Sequence, residues 1–168
     1  MTGDPRLRFP LAFGAWLAAL SVGAELPWTV AWIRAPLGVA LAHGTATALR
    51  LAGVDATVSG ATLASSHGMV QIVAECDGVV LLCFFAAAVL ALPKPALRAW
   101  LPSALAGAGA LFALNFARVL ALTATQFWWR DAFEWVHFYV LQGLMIVATT
   151  VVWLAWADRA LRARSLAP

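Results

Sequence analysis

The sequence predicts an all-α integral membrane protein with about four transmembrane helices, an extracytoplasmic interfacial helix and a small β-hairpin. Of its 168 residues, 63% are hydrophobic and only 11% are charged, which is more apolar material than one small soluble core can bury. Four long apolar stretches recur along the chain, and a stretch of strand-like composition lies between the first two. We therefore treat residues 1–168 as a single membrane domain.

The first apolar stretch follows Arg6 and Arg8 and gives a predicted span at about 9–26. Its uninterrupted part, residues 9–24, is short for a helix that crosses a bilayer. The same stretch also has the form of a cleavable signal peptide, with a basic start and small residues at its end. Pro27 fits both interpretations, because proline readily follows the end of a helix.

Residues 27–75 form a predicted extracytoplasmic insert. The part at 28–52 is only moderately apolar, so it is either a further span or a helix at about 37–51 in the membrane interface. We favour the interfacial helix because polar residues are spread through it and its tryptophans suit the headgroup region. Residues 57–63 and 69–73 have strand-like composition and predict a hairpin outside the bilayer.

The other three spans are predicted at about 77–92, 99–123 and 136–156. Prolines at positions 93 and 95 predict a tight loop after the second span. The alanines and glycines of residues 104–110 predict close contact between the third span and its neighbours.

Basic residues predict the orientation of the four spans. Seven lie on the side that holds both chain ends, against three on the other side; the seven are Arg6, Arg8, Lys94, Arg98, Arg159, Arg162 and Arg164, and the three are Arg34, Arg50 and Arg130. The positive-inside rule then places both termini in the cytoplasm. The net charge of +3 reflects this membrane pattern, and no basic run with interleaved aromatics predicts a nucleic-acid partner.

Cys76 begins the second span and is a candidate nucleophile. The N-terminus of a helix carries unpaired N–H groups and a partial positive charge, both of which favour thiolate. Cys83 lies deeper in the span and is interpreted as a packing residue. On one helix the two cysteines would be about 10 Å apart, too far for a disulfide bond.

Two further reactive side chains are predicted on the same outer side. His137 opens the fourth span, and Arg118 lies roughly 7 to 8 Å inside the end of the third. A charged arginine in the hydrocarbon region is costly unless it has a partner, so it is a functional candidate. Asn115 lies three residues earlier on the same helix face and could hold the guanidinium.

A thiol, an imidazole and a guanidinium fit nucleophilic acyl transfer. Cys76 would attack a carbonyl, His137 would move protons, and Arg118 would stabilise negative charge. Glu75 and Asp77 would raise the pKa of the thiol, so Arg118 and His137 are expected to offset them. An inert interpretation is also open, in which these residues only pack or lie at the interface of a structural scaffold.

In their order and spacing, the Cys76-Asp77-Gly78 element, Asn115 to Arg118, and His137 resemble the exosortase and archaeosortase family of membrane cysteine transpeptidases. The resemblance covers about 70–154 and indicates a compact, four-span member. Asp77 departs from the pattern, because the residue between cysteine and glycine is often small and uncharged in the family.

The resemblance implies a bacterial inner-membrane enzyme whose active site faces outside the cytoplasm. Its substrates would be membrane-anchored proteins with a C-terminal tail made of a short motif, a transmembrane helix and a basic cluster. The enzyme would cut outside that helix through a thioester on Cys76, which an amine or water would release. Gly78 and Asn115 would support the site together with Asp77, and no cofactor is expected.

A different class of function is also compatible with the sequence, namely a small membrane subunit that binds haem or quinone through His137 and has no hydrolytic activity. Haem commonly takes two axial ligands, whereas His43 and His67 lie on the predicted interfacial helix and hairpin. The histidines and cysteines also lack the spacing of a zinc site.

Overall fold

The computed structural model describes residues 5–92 and 97–165. Its N-terminal half begins with a long helix, continues through a helical segment that contains a π-helical turn, and ends in a small sheet. These elements are α1 (Pro5–Ala24), α2 (Pro27–Thr29), the π-helical turn Val30–Arg34, α3 (Ala35–Leu51), β1 (Ala56–Ser59), β2 (Thr62–Ser65) and β3 (Gly68–Gln71).

The described part of the C-terminal half is almost entirely helical. A 3-10 turn at Ala74–Cys76 leads into the first helix, and a second π-helical turn precedes the last. The elements are α4 (Val79–Ala91), α5 (Leu97–Trp128), the 3-10 turn Arg130–Ala132, α6 (Phe133–Trp135), the π-helical turn Val136–Leu141 and α7 (Gln142–Ser165).

Within the described residues, three helical stretches are long and apolar enough to cross a membrane: Leu7–Ala24, Trp100–Trp128 and Arg130–Arg162. The fourth, α4, has 13 residues, or roughly 20 Å of helix, which is short against a hydrocarbon core of about 30 Å. It packs against α1, α5 and α7. The predicted multi-pass helical membrane fold is therefore confirmed, while the predicted loop at 93–95 lies outside the described residues.

The small sheet has three antiparallel strands in the order β1-β2-β3, so the prediction of a two-stranded hairpin missed one strand. The stretch at 57–63 is divided by a turn at Gly60, whose φ of 59° suits glycine. The strands on either side then pair with each other, with Ser59 opposite Thr62. The turn between the two predicted strands is present, since Ser65 pairs with Gly68.

The predicted interfacial helix corresponds to α3. One face of this helix is buried at helical spacing, and its buried residues are Gly38, Leu41, Ala42, Thr45, Ala46 and Leu49. That face packs against Leu63 and Ile72 of the sheet region and against Val119 and Phe127 of α5. The C-terminal end of α5 is thus covered by the insert, which is consistent with the extension of α5 beyond its predicted end at residue 123.

A second apolar cluster holds α4, α5 and α7 together and includes Phe85, Leu111 and Trp156. At Gly107 a Cβ atom would lie 2.8 Å from the Phe85 ring, so a larger residue there would require this ring to move. The two clusters fix the start of α4 between the insert and the membrane helices.

Candidate active site

A cavity of about 850 Å³ lies where the insert meets α4, α5 and α7. Cys76, Arg118 and His137 all line it, although they come from three separate segments of the chain. Asn115 and Gly78 line it as well. Five of the six predicted site residues therefore line one cavity. The sixth, Asp77, is buried, with 1% of its surface exposed.

Cys76 is the last residue of the 3-10 turn that precedes α4. Its N–H donates to the Val73 carbonyl oxygen at 2.9 Å, and its own carbonyl oxygen accepts a bond from Asn115 Nδ2 at 2.9 Å. Burial raises the pKa of the Cys76 thiol and outweighs the nearby positive charge of Arg118, which lowers it. Glu75 and Asp77 also raise this pKa, so the surroundings favour the thiol over the thiolate.

Gly78 makes the sharp turn from Cys76 into α4. Its φ is 81°, a left-handed conformation that is costly for residues with a Cβ atom. A Cβ atom at this position would also lie 2.8 Å from Asn115 Nδ2. Both the backbone and the neighbouring side chain thus require glycine after the dipeptide Cys76-Asp77.

Asp77 does not stand uncompensated beside the thiol. Its Oδ2 accepts a 2.7 Å hydrogen bond from Arg34 Nε within a buried ion pair. Its Oδ1 accepts a 2.8 Å bond from the Val79 N–H, which satisfies one of the free donors at the start of α4. The Asp77 carboxylate therefore has a structural role, which the family pattern did not lead us to expect.

Arg118 is 7% exposed and has no carboxylate partner among the described residues. Its Nη2 lies 3.4 Å from Gln142 Oε1 in a weak hydrogen bond, and its Nε is buried without a hydrogen-bond partner. We expected Asn115 to hold this guanidinium, but the Asn115 amide donates to the Cys76 carbonyl oxygen instead. Arg118 is thus left free to interact with a group in the cavity.

His137 lies in the π-helical turn Val136–Leu141. The turn closes with a hydrogen bond from the Gln142 N–H to the His137 carbonyl oxygen, a spacing of five residues. In a regular α-helix two residues five apart point in different directions, but here both side chains line the cavity. The His137 ring stacks on Phe138 with 4.7 Å between ring centroids.

Sequence reasoning missed three side chains at this site: Arg34, Glu25 and Gln142, all of which line the cavity. For Arg34 a partial signal existed, since an acid at the start of a membrane helix favours a cationic partner and three arginines lie on the predicted outer side, but the sequence does not show which of them pairs with Asp77. No such signal existed for Gln142, because the π-helical turn that brings it beside His137 is not visible in the sequence.

The other two histidines lie elsewhere. His43 is exposed on α3, and the His67 ring lies 5.5 Å from the Trp128 ring at the end of α5. Neither lines the cavity with His137, so the geometry does not favour a haem held by two histidines. Within residues 5–92 and 97–165 no group of three or more His, Cys, Asp or Glu side chains is placed to hold a metal ion.

Comparison with known proteins identifies one family. The family model described as Transmembrane exosortase (Exosortase_EpsH) matches residues 4–156, which is most of the 168-residue chain. Neither the curated proteins nor the solved structures give a significant match. The resemblance inferred from the sequence motifs covered about residues 70–154, and the family model confirms it over the longer region 4–156. The chain belongs to the transmembrane exosortase family.

Proposed function

We propose that this exosortase is a cysteine peptidase or transpeptidase that cleaves the C-terminal sorting tail of membrane-anchored exported proteins through a thioester on Cys76. Exosortases are membrane transpeptidases that process sorting signals, and the chain belongs to that family. The observation that carries the proposal is the shared cavity of Cys76, Arg118 and His137. A thiol, a proton carrier and a free cation are the groups that acyl transfer requires.

The lining of the cavity supports a substrate that is itself anchored in the membrane. It combines Cys76, Arg118 and His137 with apolar residues of α4 and α7 such as Phe84 and Ile146. Phe84 and Ile146 are 47% and 60% exposed, so part of the apolar lining is open to a ligand. A peptide segment joined to a transmembrane helix would place its polar part at the thiol and its helix against these apolar residues.

In the first half-reaction the Cys76 thiol transfers its proton to His137, and the thiolate attacks the scissile carbonyl carbon. The C=O bond becomes a C–O⁻ single bond, and Arg118 stabilises the negative charge on that oxygen. His137 then donates its proton to the leaving nitrogen as the C–N bond breaks. The products are a thioester on Cys76 and a released tail with a new amino terminus.

In the second half-reaction an amine or water attacks the thioester. His137 accepts a proton from the attacking group, and Arg118 again stabilises the oxyanion. The C–S bond breaks, and the proton returns from His137 to the Cys76 sulfur. Because burial raises the pKa of the Cys76 thiol, we expect His137 to act as a general base when substrate is bound, rather than within a permanent ion pair.

We further propose that both chain ends face the cytoplasm of a bacterial inner membrane and that the cavity opens on the opposite side. The basic residues support this orientation. It places the insert and the start of α4 where an exported protein would present its cleavage site.

The test is co-expression with a tailed membrane protein and an immunoblot for the shortened product. Cys76→Ala, Arg118→Ala and His137→Ala should each abolish processing, whereas Cys83→Ala should retain it because that thiol does not line the cavity. Processing that persists in all three cavity variants contradicts the mechanism. Processing that persists only in His137→Ala retains the nucleophile and removes the role assigned to the histidine.

A further inference from the structure

Arg34 is a buried arginine of the insert that lies against the turn carrying Cys76. It ends the first π-helical turn and is 5% exposed. Each of its three nitrogens has a different acceptor. Nε donates to Asp77 Oδ2 at 2.7 Å, Nη2 donates to the Ala74 carbonyl oxygen at 2.8 Å, and Nη1 pairs with Glu25.

Two of these acceptors lie on either side of the nucleophile. Ala74 begins the 3-10 turn and Asp77 follows its last residue, Cys76, so one planar guanidinium joins the two ends of the turn. Asp77 is also tied to α4 through the Val79 N–H. Arg34 is thus the link through which the insert fixes the Cys76 turn against the membrane helices.

The pair also has an electrostatic consequence for the thiol. Four other charged or titratable groups lie around Cys76: Glu75 on its own turn, Glu25 after α1, Arg118 on α5 and His137 before α7. Glu75 is exposed to solvent and is therefore screened, whereas Asp77 is buried, so its charge acts at close range unless a cation neutralises it. Arg34 supplies that cation.

We propose that Arg34 is a positioning residue for Cys76, which it serves by neutralising Asp77 and by holding the Ala74–Asp77 turn so that the thiol faces Arg118 and His137. This inference rests on the proposed function, in which Cys76 is the nucleophile. It also accounts for the acidic residue between cysteine and glycine, because in this chain the acid and Arg34 form one unit.

A double-mutant test distinguishes a charge-compensated pair from an arginine that only packs. Arg34→Gln leaves a buried carboxylate without its cation and should reduce processing at least about tenfold. Asp77→Asn keeps an oxygen for the Val79 N–H and should have a smaller effect. The double variant Arg34→Gln/Asp77→Asn should recover activity to within about threefold of Asp77→Asn, because the uncompensated charge is gone.

A second readout does not depend on the substrate. In a Cys83→Ser background, the pH midpoint for alkylation of Cys76 in membranes should rise in Arg34→Gln, since an unpaired carboxylate disfavours thiolate. It should return in the double variant. A role in packing alone would change the rate at all pH values without moving the midpoint. Where Arg34→Gln fails to accumulate, Arg34→Lys tests the positioning role instead, because an ammonium keeps the charge but not the planar fork of the guanidinium. Processing should then fall while the midpoint stays in place, and normal processing in Arg34→Lys would overturn the positioning role.

Arg50→Gln is the matched control. Arg50 also belongs to the insert, but its Nε donates to the Ala56 carbonyl oxygen, away from the cavity. Its loss should leave both readouts unchanged. The inference is overturned if Arg34→Gln processes substrate normally, or if the double variant is as impaired as Arg34→Gln in both readouts. If either result is found and Cys76→Ala is inactive, only the role of Arg34 is contradicted and the proposed function stands. If Cys76→Ala is active, the proposed function is contradicted as well.

Discussion

The side-chain amide of Asn115 donates a 2.9 Å hydrogen bond from Nδ2 to the main-chain carbonyl oxygen of Cys76. Asn115 is 2% exposed and lies on α5, one turn before Arg118. The helix that carries the cation therefore also fixes the backbone of the candidate nucleophile. A small movement of α5 would therefore shift the Cys76 backbone together with Arg118, which helps to keep the distance between these two residues constant.

Asn115→Ala should weaken this link and reduce processing by roughly threefold to tenfold, since one neutral hydrogen bond contributes about 0.5–1.5 kcal/mol. The measurement is the initial rate of product formation in membranes that contain equal amounts of each variant. Thr123→Ala is the control, because Thr123 is also buried on α5 but bonds to Val119 of its own helix. Equal losses in both variants would contradict a specific role for Asn115.

Gly78→Ala should destabilise the protein and abolish processing. An added Cβ atom would require a left-handed backbone, at a cost of about 1–2 kcal/mol, and would meet the Asn115 amide at 2.8 Å. The melting temperature in detergent should fall. Gly109→Ala should not lower it, because nothing lies within 4 Å of a Cβ atom there and alanine favours helix.

The pH dependence of Cys76 alkylation should report both burial and Arg118. Burial raises the pKa of the thiol, so in a Cys83→Ser background the rate should rise with pH through a midpoint above the usual thiol value of about 8.5. Arg118→Gln removes the charge that lowers this pKa and should move the midpoint higher still. Arg118→Lys should move it less, and a midpoint that is the same in all three proteins would show that Arg118 does not act on the thiol.

Gln142→Leu should reduce processing by several-fold, because it removes the side-chain acceptor for Arg118 Nη2 while keeping a side chain of similar size. The reduction should appear in the rate at saturating substrate, since Gln142 orients a group that acts on the oxyanion. Thr150→Val is the control: Thr150 lines the same cavity from the same helix but bonds to Ile146 of that helix. An equal effect of the two substitutions would argue against an orienting role.

Hydropathy and charge were sufficient to predict the membrane fold, because the apolar stretches are long and the polar residues mark their ends. The helical spacing of Asn115 and Arg118 was sufficient to predict that they share one helix face, and both line the cavity. The third strand was missed because one glycine turn divides an otherwise strand-like stretch. The span ending near residue 123 was predicted too short because the C-terminal end of α5 is covered by the insert, a tertiary contact that hydropathy does not report.

The partners of the site residues could not be predicted in the same way. Arg34 is 43 residues from Asp77 in sequence, and their pairing depends on how the insert folds back onto α4. Gln142 reaches Arg118 only because a π-helical turn rotates it toward the side of His137. Long-range charge pairing and local departures from α-helical geometry both arise from packing, which a single sequence does not display.

The central claim is that Cys76 carries a thioester with the substrate, and acid-quenched mass spectrometry tests it most directly. Cys83→Ser protein is purified in detergent, mixed with a tailed substrate and quenched during turnover. We expect an adduct on Cys76 with the mass of the upstream substrate fragment, released by hydroxylamine and absent from Cys76→Ala. Substrate cleavage at the normal rate with no hydroxylamine-sensitive adduct on Cys76 would contradict the account.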